Sequence, residues 1–234
     1  MKEITFSWVL PIKNEAESLP QLFNEIHEVM GRQNFEIIAV NDASTDQTYA
    51  VLKKVKQNIP QLKIVHFDSH QGKWAALTAG IKRAKGEIII TLDSDLQDNP
   101  KQVRRLLQKL NEGFDIVSSW RKKRCDPYYK VIISQLGNRI LSMLSKKQFK
   151  DVNSPFKVYR KNVLSNVPRE GTLLRFAILF AHKAGYRVIE VPVIHRPRIY
   201  GKSKFGVIKY LRILYDLCLV LLLFSGSGRI RKTK

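Results

Sequence analysis

The sequence predicts an α/β fold in which a largely parallel sheet is wrapped by helices. Three observations predict it. Short apolar runs rich in β-branched residues recur along the first half of the chain, and each is followed by a stretch with helical period. Gly, Pro, Asn and Asp punctuate the boundaries between them. The 234 residues, 44% of them hydrophobic, suffice for one domain with a substantial core. Strand–helix alternation at this spacing requires crossover connections, which make neighbouring strands parallel.

Taken in order, residues 6–11 form the first strand and 18–30 a helix. That helix places Leu19, Leu22, Phe23, Ile26 and Val29 on one face and opens with a Ser18–Gln21 capping-box pattern. Residues 35–40 are the second strand, and 48–59 a helix with Val51, Leu52, Val55 and Ile59 in register. A third strand at 62–67 precedes a helix at 73–84, which ends before Gly86. The run Glu87-Ile88-Ile89-Ile90-Thr91-Leu92 is a fourth, buried strand. Asn99 caps a helix over 100–112 that carries Val103, Leu106, Leu107 and Leu110 and closes at Gly113. A strand follows at 115–119. The pattern then changes, with a basic cluster Arg121-Lys122-Lys123-Arg124 and a helix at 128–144. A short strand at 156–159, an apolar helix at 172–184, a strand at 187–194 and a last helix complete the chain. No repeat or linker marks an internal boundary, so 1–206 reads as one domain and 207–234 as a C-terminal amphipathic helix with a basic tail.

Charge narrows the class of partner. Lys and Arg number 41 against 20 Asp and Glu, a net +21, which calls for a polyanion: nucleic acid, an anionic membrane face or phosphorylated substrates. Nucleic acid is the poor fit. No recognised module is present, aromatic residues do not interleave with the basic face, and acidic residues crowd the strand-end loops. Cys125 and Cys218 lie far apart with no metal-ligand spacing, which fits a reduced compartment. The N-terminus enters a strand directly, with no signal-peptide pattern. No run of 18 uncharged apolar residues exists, and 217–224 is too short to span a bilayer. An amphipathic helix lying on an anionic membrane, with Lys209, Arg212 and the tail Arg229-Ile230-Arg231-Lys232, is the expectation.

Asp93-Ser94-Asp95 is the most informative motif. It directly follows the fourth strand, and side chains at i and i+2 of an extended chain share a side. Two converging carboxylates repel unless a cation lies between them, and a hard divalent ion is the natural occupant. Such an ion takes phosphate oxygens as further ligands. A turn built from Asp side chains is the bland alternative. Three other loops at strand carboxyl ends are equally polar: 11–15, 41–46 and 68–73. Ligands bind at that edge of open α/β sheets, so the convergence favours a site.

These residues together resemble the inverting glycosyltransferases of family 2, most of all the dolichyl-phosphate mannosyltransferase and undecaprenyl-phosphate glycosyltransferase branch. The resemblance rests on Pro11-Ile12-Lys13-Asn14-Glu15, Asn41-Asp42-Ala43-Ser44-Thr45-Asp46, Gly72-Lys73, Leu92-Asp93-Ser94-Asp95-Leu96-Gln97-Asp98 with Pro100, and Arg198-Ile199-Tyr200-Gly201-Lys202-Ser203-Lys204. It implies a GT-A type fold, Rossmann-like, and metal-dependent inverting transfer from a nucleotide sugar, UDP- or GDP-linked, to a polyprenyl phosphate. It implies Pro11, Glu15, Asp42, Lys73 and Asp93 as nucleotide-binding residues, and Asp93, Asp95 and Gln97 as holders of Mg²⁺ or Mn²⁺. Asp95, Asp151 and Arg198 are the catalytic candidates, and Arg121, Lys130, Ser134, Arg198 and Lys204 the residues for the acceptor phosphate. Asp151 positions groups at the reaction centre or only caps a helix. Pro155 departs from the family pattern, which has Gly there, so the backbone must differ. No Gln-x-x-Arg-Trp motif is present, which argues against the processive synthases. The implied location is cytoplasmic and peripheral on the inner face of the membrane. A soluble family 2 enzyme acting on a glycan hydroxyl is the alternative, and it would need Asp151 as general base.

Overall fold

The computed structural model describes residues 5–122, 128–168, 172–197, 199–200, 216 and 218–224, the side chains of 128–136 excepted. Strands β1 (Phe6–Ile12), β2 (Phe35–Asp42), β3 (Leu62–Phe67), β4 (Ile88–Thr91), β5 (Ile116–Arg121), β6 (Lys157–Arg160) and β7 (Val188–Val193) form one sheet. Their order is β3-β2-β1-β4-β6-β5-β7. Every pairing is parallel except the two made by β6. Helices α1 (Leu19–Met30), α2 (Thr48–Asn58), α3 (Lys73–Arg83), α4 (Val103–Asn111), α5 (Tyr128–Ser145), α6 (Lys161–Ser165) and α7 (Ala177–Lys183) connect the strands. The expected α/β class with a mostly parallel sheet is the observed one.

Burial on both faces explains the composition of the central strands. All eight positions of β2 are buried, so it reads as a near-continuous apolar run. One face of the sheet packs Trp8, Leu10 and Ile37 against Leu22, Phe23 and Ile26 of α1 and Leu106 and Leu110 of α4. The other packs Val9, Ile38 and Val40 against Ala76, Leu77 and Ile81 of α3 and, further along, the residues of α7. Helix α3 sits very close to the sheet because of Gly80. A Cβ there would fall 2.4 Å from Val9 Cγ1 and 3.2 Å from Val40 Cγ2. The buried Glu36 of β2 is the polar exception. It accepts from Ser7 Oγ at 2.6 Å, Lys63 Nζ at 2.5 Å and the Lys85 backbone N–H at 2.6 Å, tying β1, β3 and the turn before β4 together.

Several local expectations change. The capping box does not form: the Ser18 side chain caps nothing in α1 and instead donates to Ser94 O at 2.7 Å, because a buried carbonyl needs a partner there. The helices expected over 100–112 and 172–184 each open as a 3-10 turn, Pro100–Gln102 and Leu173–Phe176, before α4 and α7. The Asn99 cap does form, accepting from Lys101 N at 2.9 Å. Helix α6 was not expected.

The reversed strand matters for function. β6 starts with Lys157 beside Thr91, at the carboxyl edge of β4, and runs back to pair Arg160 with Ile88. The preceding loop, 151–156, is thereby delivered to the edge that carries Asp93. Residues 216 and 218–224 are helical, and this C-terminal helix places Val220 in the α3–α7 core and Phe224 against Phe180. Among the described residues no helix is long and apolar enough to cross a membrane.

Candidate active site

Sequence places short polar loops at the carboxyl ends of β1, β2, β3 and β4, and the structure laces them together. Asn14 N donates to Ser44 Oγ at 2.9 Å, and Thr45 N to Asn14 Oδ1 at 2.8 Å. Glu15 N donates to Thr48 Oγ1 at 2.8 Å. Ser94, the middle residue of the D-x-D motif, is buried and donates to Pro11 O at 2.9 Å, while Asp93 and Asp95 are half-buried. The strand itself ends at Thr91 and residues 94–97 form a bend, so the two carboxylates stand beyond the extended segment whose alternation suggested a shared side.

Asp42, at the end of β2, organises the next loop. Its Oδ1 accepts from Gln71 N at 2.7 Å, and its Oδ2 accepts from Gly72 N at 2.9 Å and faces His70 Nδ1 at 2.7 Å. Gly72 has φ +94°, a conformation that favours glycine, and it starts α3. The turn aims Lys73 at the D-x-D motif: its ammonium lies 2.6 Å from Asp93 Oδ1 and 2.7 Å from Oδ2. Asp95 Oδ1 accepts from the Gln97 backbone N–H at 3.2 Å.

Backbone strain collects at this rim. Of the four non-glycine residues with positive φ among the described ones, three sit in these loops: Asn14 (52°), Ala43 (49°) and Leu96 (61°). Each costs of order 1 kcal/mol or more, and such costs cluster where geometry serves function.

The opposite wall comes from the second half of the chain. Arg121, at the end of β5, grips Asp151: Nε to Oδ2 at 2.7 Å and Nη2 to Oδ1 at 3.1 Å, both side chains largely buried. Arg121 is thus a paired group and not part of a solvated charge run. The strap leaving β7 closes the D-x-D loop: Arg196 N donates to Gln97 O at 2.7 Å, and its guanidinium holds both oxygens of Glu25 at 3.0 Å. Arg198 and Lys204, like Arg124, lie outside the described residues, and Lys130 and Ser134 fall in the part of α5 whose side chains are not described.

Two buried charges went unnoticed in the sequence. Asp98 is buried beside the motif, and burial pushes its carboxyl up to about 7, with Arg121 opposing and Asp93, Asp95 and Asp151 adding. Lys157 is buried at the start of β6 and donates to Ser154 O; burial pushes it down to about 7, against the pull of Asp151. In the sequence only its place in the acidic run 93–98 marks Asp98. Nothing in the sequence around Lys157 signals burial.

The glycosyl transferase family 2 model matches residues 7–167, which contain the loops at the carboxyl ends of β1 to β4. The chain belongs to glycosyltransferase family 2. It is 32% identical over 222 residues to the undecaprenyl-phosphate 4-deoxy-4-formamido-L-arabinose transferase of Edwardsiella ictaluri, spanning 92% of this chain and 68% of that one. It is 30% identical to the protein of the same name from Klebsiella pneumoniae, over 90% of this chain and 65% of that one. The chain thus spans about two thirds of the length of these relatives. Among solved structures it resembles glucosyl-3-phosphoglycerate synthase from Mycobacterium tuberculosis bound to phosphoglyceric acid, at a TM-score of 0.75 and 18% identity over 96% of this chain and 82% of that one. The same enzyme with Mn²⁺, UDP and glucosyl-3-phosphoglycerate gives 0.74 at 19% identity, with the same coverage. The fold is of the GT-A type, as expected, and the family 2 chain is a glycosyltransferase.

Proposed function

We propose that this glycosyltransferase moves a sugar, with inversion, from a nucleoside diphosphate sugar to a polyprenyl phosphate, with a divalent metal ion on the diphosphate. One observation carries the donor half. Asp93 already holds a cation, the Lys73 ammonium, against both its oxygens, and that lysine is delivered by a loop built on Asp42. Asp95 follows two residues on and is likewise half-buried. Two carboxylates at a rim suit a hard ion that completes its shell with phosphate oxygens and water. Among the described residues no group of three His, Cys, Asp or Glu is assembled to hold a metal alone, so the diphosphate would share in binding it. Asp93 and Asp95, with Gln97, would hold Mg²⁺ or Mn²⁺. The bound ion would neutralise charge on the departing diphosphate as a Lewis acid.

Pro11 and Glu15 would line the nucleoside pocket with Asp42, a carboxylate suited to accept from base N–H or ribose hydroxyl groups. Lys73 would reach the diphosphate from its place beside Asp93. The acceptor half is supported by the names of the curated relatives and by the basic second half. Arg121, Lys130, Ser134, Arg198 and Lys204 would receive the phosphate, because guanidinium forks and hydroxyl donors match its oxygens. A phosphate monoester loses its second proton near pH ~6, so its oxygen attacks the anomeric carbon without a protein base. Asp151 would act by positioning Arg121, since both of its oxygens are engaged by that guanidinium. That pairing disfavours a hydroxyl acceptor, which would require Asp151 as a base. The domain reading of 1–206 with a C-terminal membrane-facing helix, peripheral on the cytoplasmic side of an anionic bilayer, is part of the same proposal. It draws on the net charge of +21 and on Leu222, 70% exposed.

The test is transfer from a radiolabelled UDP- or GDP-sugar to undecaprenyl phosphate and, in parallel, to glycan hydroxyls, in Mn²⁺ and in chelator. Label in the lipid phosphate only, lost in chelator and in Arg198→Ala, is the expected result. Label in the hydroxyl acceptor only would overturn the acceptor assignment.

A further inference from the structure

The position of Lys73 is supported by a chain of contacts that ends in the C-terminal helix. A lysine side chain loses considerable rotamer freedom when fixed, and Lys73, 36% exposed, is paired with Asp93. Its ammonium lies 5.4 Å from the centroid of the Trp74 ring, within cation–π range. The Trp74 ring also meets the Arg175 guanidinium at 5.5 Å, from the 3-10 turn that packs against α3. Arg175 is in turn fixed by Asp216: Nη1 donates to Oδ2 at 3.0 Å, and the other carboxylate oxygen accepts from Thr172 Oγ1 at 2.5 Å. Asp216 is almost wholly buried and stands on the C-terminal helix, whose Val220 enters the same apolar core that Trp74 packs against. Asp216 is the one charged residue in the described part of that helix.

We infer that Trp74 and Arg175 are positioning residues for the donor site, and that Asp216 makes the C-terminal helix a structural part of that site. The inference rests on the proposed donor role of Lys73 and Asp93. A buried carboxylate that held the helix in place and did nothing else would need no aromatic ring beyond its arginine. Here the arginine spans from that carboxylate to the ring next to Lys73. Loss of any link leaves Lys73 free to sample other rotamers, so Asp93 loses its counter-ion and the diphosphate loses a prepared contact.

The experiment is calorimetric titration of the full chain with UDP, and with GDP, in Mn²⁺. Trp74→Leu, Arg175→Gln and Asp216→Asn are each expected to weaken nucleotide binding about five-fold. Arg175→Lys, which keeps a cation near the ring, and Trp74→Phe, which keeps a ring, should lose less. Asp216→Asn added to Trp74→Leu should cost almost nothing more, because both break one chain; a general loss of stability would add instead. Circular dichroism identifies any variant that fails to fold, and the two mild variants then decide the matter. Affinities of Trp74→Leu, Arg175→Gln and Asp216→Asn within two-fold of wild type, conservative variants that lose as much as these, or additive effects would overturn the positioning role while leaving the donor site intact. If the wild-type chain binds neither nucleotide in Mn²⁺, the donor-site reading itself falls and this inference falls with it.

Discussion

Single residues at the rim divide into those that sequence pattern reveals and those it hides. Asp93 and Asp95 were legible because they directly follow an apolar strand, and both are half-buried around a buried Ser94. Asp95→Asn should reduce metal-dependent transfer about 100-fold, since a Lewis-acid contact to the leaving group contributes several kcal/mol, and steady-state kinetics against Mn²⁺ would show it. Lys157 was hidden, because a lysine after an aromatic reads as a surface residue and burial depends on a strand whose direction carries no sequence signature. Its folded value near 7 lies below the unfolded value of ~10.4, so between these the unfolded chain binds the extra proton. Stability should therefore rise from about pH 7 toward pH 10, with the burial cost fully present below pH 7. Lys157→Met should be more stable than wild type at pH 6.5 in urea unfolding and should lose that rise. Equal slopes in the two proteins would show that Lys157 stays protonated in its buried site.

Elements were legible where period and punctuation agreed. Helix α1 buries the face that its apolar spacing marked, and β4 comprises the three isoleucines and Thr91 of the expected apolar run. Topology beyond β4 was not legible. β6 has four residues, and its antiparallel insertion depends on the 151–156 loop reaching the rim, a tertiary fact. Glu36 is a similar case, a carboxylate in a fully buried strand that pairs with three separate segments. Burial alone would raise its carboxyl, but hydrogen bonds from Lys63, Ser7 and Lys85 outweigh that and hold it below the usual glutamate value. A depressed folded value contributes stability above the unfolded pKa that is lost as pH falls through the folded one. Glu36→Gln should thus cost about 1–3 kcal/mol at pH 7 and progressively less in acid, measured by denaturant midpoints. Gly80→Val should be worse, because the new side chain would drive α3 off Val9.

At the scale of the molecule, one edge of a seven-stranded sheet gathers carboxylates from the first half of the chain, and the basic second half closes over it. The net charge of +21 was read from composition, but its distribution was not, since several of the cations near the site are committed to carboxylates: Lys73 to Asp93, Arg121 to Asp151, Arg175 to Asp216 and Arg196 to Glu25. Binding to vesicles containing anionic lipid should be strong at low salt and fall steeply by 0.5 M NaCl, as sedimentation would report; salt-independent binding would point to apolar insertion alone. The most direct measurement of the donor chemistry is calorimetric binding of UDP-glucose, UDP-N-acetylglucosamine and GDP-mannose to wild type and to Asp93→Asn, in Mn²⁺ and in EDTA. Binding of at least one sugar nucleotide that requires Mn²⁺ and is lost in Asp93→Asn is the predicted result. No binding of any of them in Mn²⁺, or equal binding in EDTA and in the variant, would contradict it.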